Sequence, residues 1–124
     1  MNQTSEVVTL INDYFSLAYD PSSREFDNVF HPHCQVQWLR DGNLESMTAE
    51  HYRSLIHGRT SPKAAGAPRD ERIVDIRHLA AHLSVATVHV RILSNAFVDH
   101  FIIHEIGGKR LITNKSSFIA QSFA

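Results

Sequence analysis

The sequence of 124 residues contains a single cysteine, Cys34, and little excess charge of either sign. One cysteine cannot form an internal disulfide, and it excludes a zinc site built from several thiolates. Twelve Lys and Arg against thirteen Asp and Glu give a formal net charge of -1, which predicts no basic surface for nucleic acid. No apolar run approaches the roughly eighteen residues of a membrane helix. We therefore expect a cytoplasmic protein with no nucleic acid and no membrane as partner.

The chain also lacks internal divisions and cofactor motifs. No repeat, linker or low-complexity tract interrupts it, and its length suits one hydrophobic core, so residues 1–124 are expected to form a single domain. The start of the chain has neither the basic segment nor the apolar core of a signal peptide. There is no glycine-rich phosphate loop, no HExxH and no paired CxxC, so no cofactor is expected.

The first half of the chain carries helix signals. Apolar residues recur at three- and four-residue steps up to a break near Pro21, which predicts an amphipathic helix. Ser22 and Glu25 have the spacing of a capping box, which predicts a short second helix. Thr48 is placed to cap a third helix that ends at Gly58.

Between and after the helices, alternating polar and apolar residues predict strands. Asp41-Gly42 is a strong hairpin signal, and residues 59–68 predict an exposed loop that flanks or covers a cavity. Helices followed by a long meander favour an α+β fold with a curved sheet. The predicted strands are residues 35–39, 44–46, 73–78, 83–93, 97–106 and 111–120.

Asp99 stands out because it interrupts an apolar strand. Side chains of a strand alternate between its faces, so Asp99 should point the same way as Phe101 and Ile103. A carboxylate on the core side must be paired or hydrated, since desolvating a lone charge costs several kcal/mol. A pocket is the simplest solution, and the strand therefore indicates a small-molecule site.

With these features the chain resembles the nuclear-transport-factor-2-like (NTF2-like) superfamily. Within it, the sequence is similar to a small bacterial branch named "Putative lumazine-binding", which is related to the polyketide-cyclase-like (SnoaL-like) group. The residues that carry the resemblance are Leu10-Ile11-x-x-Tyr14-Phe15, Tyr19, Phe30-His31-Pro32, Asp41-Gly42-x-Leu44, Arg59-x-Ser61-Pro62, Arg72-Ile73, Asp99 with Phe101 and Ile103, and Asn114-Lys115.

The resemblance implies a cone-shaped, cystatin-like domain. Three N-terminal helices would pack on a curved, mostly antiparallel mixed sheet and enclose a pocket, and the outer sheet face would pair two copies into a homodimer. The superfamily includes isomerases, dehydratases, cyclases and binding modules, so the fold leaves the function open.

Asp99, Tyr14 and His33 are the candidate catalytic residues. A partly desolvated carboxylate can act as a base or anchor a ligand, a phenol can stabilise an oxyanion, and histidine titrates near neutrality. The alternative is structural: Asp99 accepts a hydrogen bond from Tyr14, and Tyr14 packs in the helical stripe. The candidate ligand contacts, each of which could also be plain core, are Tyr19, Trp38, Met47, Tyr52, Ile56, Phe101 and Phe118.

Three weaker patterns complete the candidates. His31, His33 and Asp99 have the composition of a two-histidine, one-carboxylate metal site, but the intervening Pro32 argues against a shared direction, and no metal is expected. Cys34 faces away from its neighbour His33, so the two do not form a catalytic pair. Charged residues of the 59–68 loop and its border could attract an anionic ligand, although loop charges are more often solvated; these are Arg59, Lys63 and Arg69.

The outer face of the same strand carries a mixed patch of Val98, His100, Ile102 and His104, which predicts a homodimer. Three functions remain open at this point. The first is a small-molecule-binding domain with an apolar pocket and Asp99 as its polar anchor. The second is a metal-free isomerase, dehydratase or cyclase with Asp99 as general base. The third is a dimeric interaction module without a ligand.

Overall fold

The computed structural model describes residues 2–123. Its first helix, α1 (Gln3–Tyr19), begins where the Asn2 side chain accepts a hydrogen bond from the Ser5 backbone N–H at 2.8 Å. The predicted amphipathic helix is confirmed, because its buried residues follow the apolar stripe. They are Val7, Leu10, Ile11, Tyr14, Phe15, Leu17 and Ala18.

The segment after α1 differs from the prediction. Instead of one short helix it forms two 3₁₀ turns, Pro21–Ser23 and Phe26–Asn28. The capping box does not form, because the Ser22 hydroxyl donates to Asp20 Oδ1 at 2.7 Å and Glu25 makes no side-chain cap. Residues 2–123 therefore contain two α-helices, and the predicted count of three is wrong.

The second helix and the first hairpin form as their residues predict. The Thr48 hydroxyl accepts a hydrogen bond from the His51 backbone N–H at 3.1 Å and so caps the second helix, α2 (Ala49–Gly58). Asp41 and Gly42 have φ values of 51° and 80°, as a two-residue type I′ turn requires. The elements after the 3₁₀ turns are β1 Phe30–Arg40, β2 Asn43–Thr48, α2 Ala49–Gly58, β3 Glu71–Ala80, β4 Leu83–Ile92, β5 Asn95–Ile106 and β6 Lys109–Ser122.

The six strands form one curved sheet in the order β2-β1-β6-β5-β4-β3. All neighbours are antiparallel except β1 and β6, which run parallel. Helix α1 packs on one face, where the Tyr14 ring meets Phe101 edge-on with 4.9 Å between centroids. The architecture is α+β with a mixed, mostly antiparallel sheet, as predicted.

The other face of β5 points away from the helices. It carries Val98, His100, Ile102 and His104, of which both histidines are exposed. The two histidines also hydrogen-bond to threonine hydroxyls on neighbouring strands, at 2.9 Å and 2.5 Å. No helix within residues 2–123 is long and apolar enough to cross a lipid bilayer.

Candidate functional site

A cavity of about 280 Å³ opens between α2 and the sheet. It lies where β1, β4 and β6 end and β5 begins, and at its rim Leu39, Leu55 and Ile119 are exposed, so it communicates with solvent. Most of its wall is apolar. The main apolar and aromatic wall residues are Val36, Trp38, Met47, Tyr52, Ile92 and Phe97.

Two polar side chains of β6, Lys115 and Ser117, also line the cavity. They lie two positions apart on one strand and therefore share the face that looks toward the helices. Lys115 is only 5% exposed. In the sheet Ser117 is paired with Trp38 on one side and with Asp99 on the other. This register places Asp99 next to the cavity's polar wall.

Asp99 is buried, and both of its carboxylate oxygens accept hydrogen bonds. Tyr14 donates to Oδ2 at 2.5 Å, and Ser117 donates to Oδ1 at 2.6 Å. The Lys115 ammonium lies 3.8 Å from Oδ2 and donates to the Ser117 hydroxyl at 3.0 Å. A buried negative charge is thus paired with a buried positive charge and with two hydroxyls, which is what retention of ions in a core requires.

The network also changes the proton affinities of its members. Burial raises the pKa of Tyr14 well above its ordinary value, and the neighbouring Asp99 charge raises that pKa further. For Lys115, burial lowers the pKa, but the Asp99 carboxylate and the adjacent Tyr52 hydroxyl more than offset burial, so the net pKa is raised. Tyr14 is therefore neutral and Lys115 charged at neutral pH.

Arg59 is a second cation of the cavity. It follows α2 directly, where its backbone N–H donates to the Leu55 carbonyl at 3.2 Å, and its side chain lines the cavity. The Nε and Nη2 atoms of its guanidinium are buried and have no hydrogen-bond partner among residues 2–123. Arg40 also lines the cavity, but it is exposed and forms an ion pair with Glu45 at 3.6 Å.

The structure brings together two of the three residues expected to be catalytic. Tyr14 and Asp99 are hydrogen-bonded to each other, but both lie behind the cavity wall and do not line it. His33 is exposed on β1, outside the cavity, where its backbone N–H donates to His31 Nδ1 at 3.0 Å. In the described part of the chain, no cluster of three or more His, Cys, Asp or Glu residues is arranged to hold a metal ion.

The residues expected to contact a ligand are divided between cavity and core. Trp38, Met47 and Tyr52 line the cavity, whereas Ile56 and Phe101 belong to the hydrophobic core. Tyr19, which was also expected to contact a ligand, does not line the cavity and instead contacts the loop between α2 and β3. Its carbonyl accepts the Lys63 N–H at 3.1 Å, and the guanidinium carbon of Arg69 lies 4.7 Å from the centre of its ring.

Phe118 lies on the opposite side of the sheet from the cavity and is 60% exposed. Simple alternation from the buried Ile112 would point Phe118 inward. The register between β5 and β6 shifts at Thr113, which has no partner on β5. One extra residue reverses the faces of the positions that follow, up to a second shift at Ala120, so Lys115 and Ser117 face inward instead.

The same irregularity explains why the polar wall was missed. Lys115 and Ser117 have no inward-facing pattern in the sequence, because the bulge that turns them inward leaves no compositional mark. Arg59 was visible only as a loop cation. The signal available for both cations was the resemblance, which included Arg59-x-Ser61-Pro62 and Asn114-Lys115.

This arrangement, a helix-covered curved mixed sheet with a cavity at one end, defines an NTF2-like domain. The family described as "Putative lumazine-binding" matches residues 2–117. The chain belongs to this family. No curated protein matches it at a significant level.

Solved structures support the same fold. An NTF2-like protein of unknown function from Shewanella baltica superposes with a TM-score of 0.84 at 16% identity, over 97% of this chain and 95% of that chain. A second, from Silicibacter pomeroyi, has a TM-score of 0.79 at 13% identity over 94% of each chain. A third, from Methylobacillus flagellatus, has a TM-score of 0.77 at 17% identity, over 95% of this chain and 92% of that chain. At these identities the likeness concerns the fold alone.

Proposed function

We propose that this chain binds a small, mainly apolar molecule in the cavity between α2 and the sheet. The observation that carries the proposal is the contrast within its wall: a buried ammonium and a hydroxyl, Lys115 and Ser117, face a space otherwise lined mainly by apolar groups. Ligand pockets have this composition, with a few polar groups that orient a largely apolar molecule. In this proposal Asp99 anchors the ligand indirectly, because it holds Lys115 and Ser117 in place at the cavity wall.

Binding fits the geometry better than proton transfer by Asp99. Both oxygens of this carboxylate already accept hydrogen bonds, and Lys115 and Ser117 stand between it and the cavity. A general base must come within about 2.6–3.2 Å of the proton that it removes, or act through one water. A role as isomerase, dehydratase or cyclase would therefore need the Asp99 network to open.

The proposal is tested with probes that share one apolar body, namely 2-naphthol, 2-naphthamide and 2-naphthoate. Trp38 is the single tryptophan and lines the cavity, so its emission reports occupancy alongside calorimetric titration. Native mass spectrometry of the purified protein searches for a retained compound. At least one probe should bind with a stoichiometry of about one and change the Trp38 emission.

A matched pair of variants locates the binding. Ile92→Phe fills the cavity wall and should weaken binding at least about tenfold, whereas Val98→Phe adds the same ring on the outer face and should leave affinity within about twofold. The proposal fails if no probe binds and no compound is retained, or if both folded variants bind like the wild type.

A further inference from the structure

We infer that the ligand of this cavity is a monoanion with an apolar body, and that Arg59 holds its carboxylate. This inference rests on the proposed function and names the chemical class that the site would select. The nearest alternative is a neutral ligand, which leaves the Arg59 charge without a counterion.

The first argument is the balance of charge around the cavity. Lys115 is paired with Asp99 at 3.8 Å, and Arg40 is paired with Glu45 at 3.6 Å. None of the ion pairs among residues 2–123 involves Arg59. The wall therefore carries one positive charge without a protein counterion, in a partly desolvated space where the attraction for an anion is strengthened. One negative charge on the ligand restores the balance.

The second argument is which atoms of Arg59 lack partners. Nε and Nη2 lie on the same edge of the planar guanidinium, and their two N–H bonds are roughly parallel, so together they can donate to both oxygens of one carboxylate. Both atoms are buried and have no acceptor in the described part of the chain. Buried donors nearly always have a hydrogen-bond partner, because a buried donor without one costs the free energy of its desolvation. A carboxylate can supply both missing acceptors at once when the covered edge of the guanidinium turns toward the cavity.

The third argument concerns the rest of the ligand. Trp38, Met47 and Phe97 offer apolar and aromatic surface beside the two cations. These walls suit a flat or aliphatic hydrocarbon body rather than a sugar or a nucleotide, whose hydroxyls and phosphates would need more polar partners. The site therefore fits a small aromatic or branched aliphatic carboxylic acid.

The experiment compares 2-naphthoate with 2-naphthamide, which have the same ring and differ in charge. Calorimetric titration of the wild-type protein should give about ten- to hundredfold tighter binding of the carboxylate, the range expected for charge-assisted hydrogen bonds. Arg59→Met should reduce this preference to less than about threefold, because the remaining wall does not distinguish the two probes by a bidentate contact. Arg40→Met removes a charge from the same wall and should keep the preference, because Arg40 is exposed and already paired.

Arg59→Lys provides a second variant, which keeps the positive charge and removes the pair of parallel N–H donors. It should retain only part of the preference for the carboxylate. Near-ultraviolet circular dichroism and the melting temperature check that each variant folds. Equal binding of the two probes to the wild type overturns the monoanion inference and leaves the proposed function intact. An unchanged preference in Arg59→Met overturns the role of Arg59, and an unchanged preference in Arg59→Lys overturns its bidentate contact. Failure of both probes, with no retained compound, contradicts the proposed function itself.

Discussion

The hydroxyl of Tyr14 lies 2.5 Å from Oδ2 of Asp99, although 85 positions separate the two residues in the sequence. This hydrogen bond joins α1 to β5 at the centre of the molecule, and Ser117 and Lys115 extend it to the cavity wall. Stability and cavity polarity therefore depend on the same four side chains.

Asp99→Asn is expected to destabilise the protein by about 3–5 kcal/mol, because it leaves the Lys115 charge buried without its partner. Ser117→Ala removes one hydroxyl and keeps the ion pair, so its cost should be smaller, about 1–3 kcal/mol. Urea unfolding followed by circular dichroism measures both. Equal stability of Asp99→Asn and wild type would show that the pair contributes no net stability.

Stability should fall at alkaline pH. The pKa values of Tyr14 and Lys115 are raised above their ordinary values of 10.0 and 10.5, so the folded state holds these protons more tightly than the unfolded state. Their stabilisation is complete below about pH 10 and is lost as the pH rises through the folded pKa values. Urea midpoints between about pH 8 and about pH 11 should decline less steeply in Tyr14→Phe than in the wild type. Parallel declines would exclude a contribution from Tyr14, since Cys34 titrates equally in both proteins.

Cys34 should be unreactive in the folded protein. Burial raises the pKa of its thiol to about 12, and the thiolate is the form that alkylating agents attack. Incubation with iodoacetamide near pH 8 should leave the native protein largely unmodified by mass spectrometry and label it fully in urea. Labelling at one rate in both conditions would contradict the burial of Cys34 in solution.

The outer face of β5 is expected to mediate self-association. Sedimentation at micromolar concentration should then give twice the chain mass of 14.0 kDa. Ile102→Asp places a charge on this face and should yield monomers, whereas Ser54→Asp adds the same charge to the exposed side of α2 and should not. A wild-type protein that sediments as a monomer would rule out the dimer.

The features that could be predicted from the sequence are those with local causes. The alternation of Asp99 and Phe101 toward the core, the Asp41-Gly42 turn and the Thr48 cap each depend on a few neighbouring residues, and the structure confirms all three. The alternation of side chains along a strand and the residue types of a turn can both be recognised from adjacent positions in the sequence.

The remaining features depend on distant parts of the chain. The bulge at Thr113 arises where β6 meets β5, and it decides that Lys115 faces the cavity. The position of Arg59 depends on how the loop after α2 packs against the sheet. His33 is a candidate on its chemistry alone, and the extended course of β1 places it in solvent. Such placements follow from pairing partners that a single segment does not reveal.

The last strand, β6, occupies the middle of the sheet between β1 and β5. On a ribosome, the early hairpin β1–β2 and the later meander β3–β5 would emerge as two separate halves, each with an unpaired edge. Only β6 can join them, and it also brings Lys115 and Ser117. A chain cut before β6 would therefore lack both a continuous sheet and the polar wall of the cavity, so binding requires β6 to be in place.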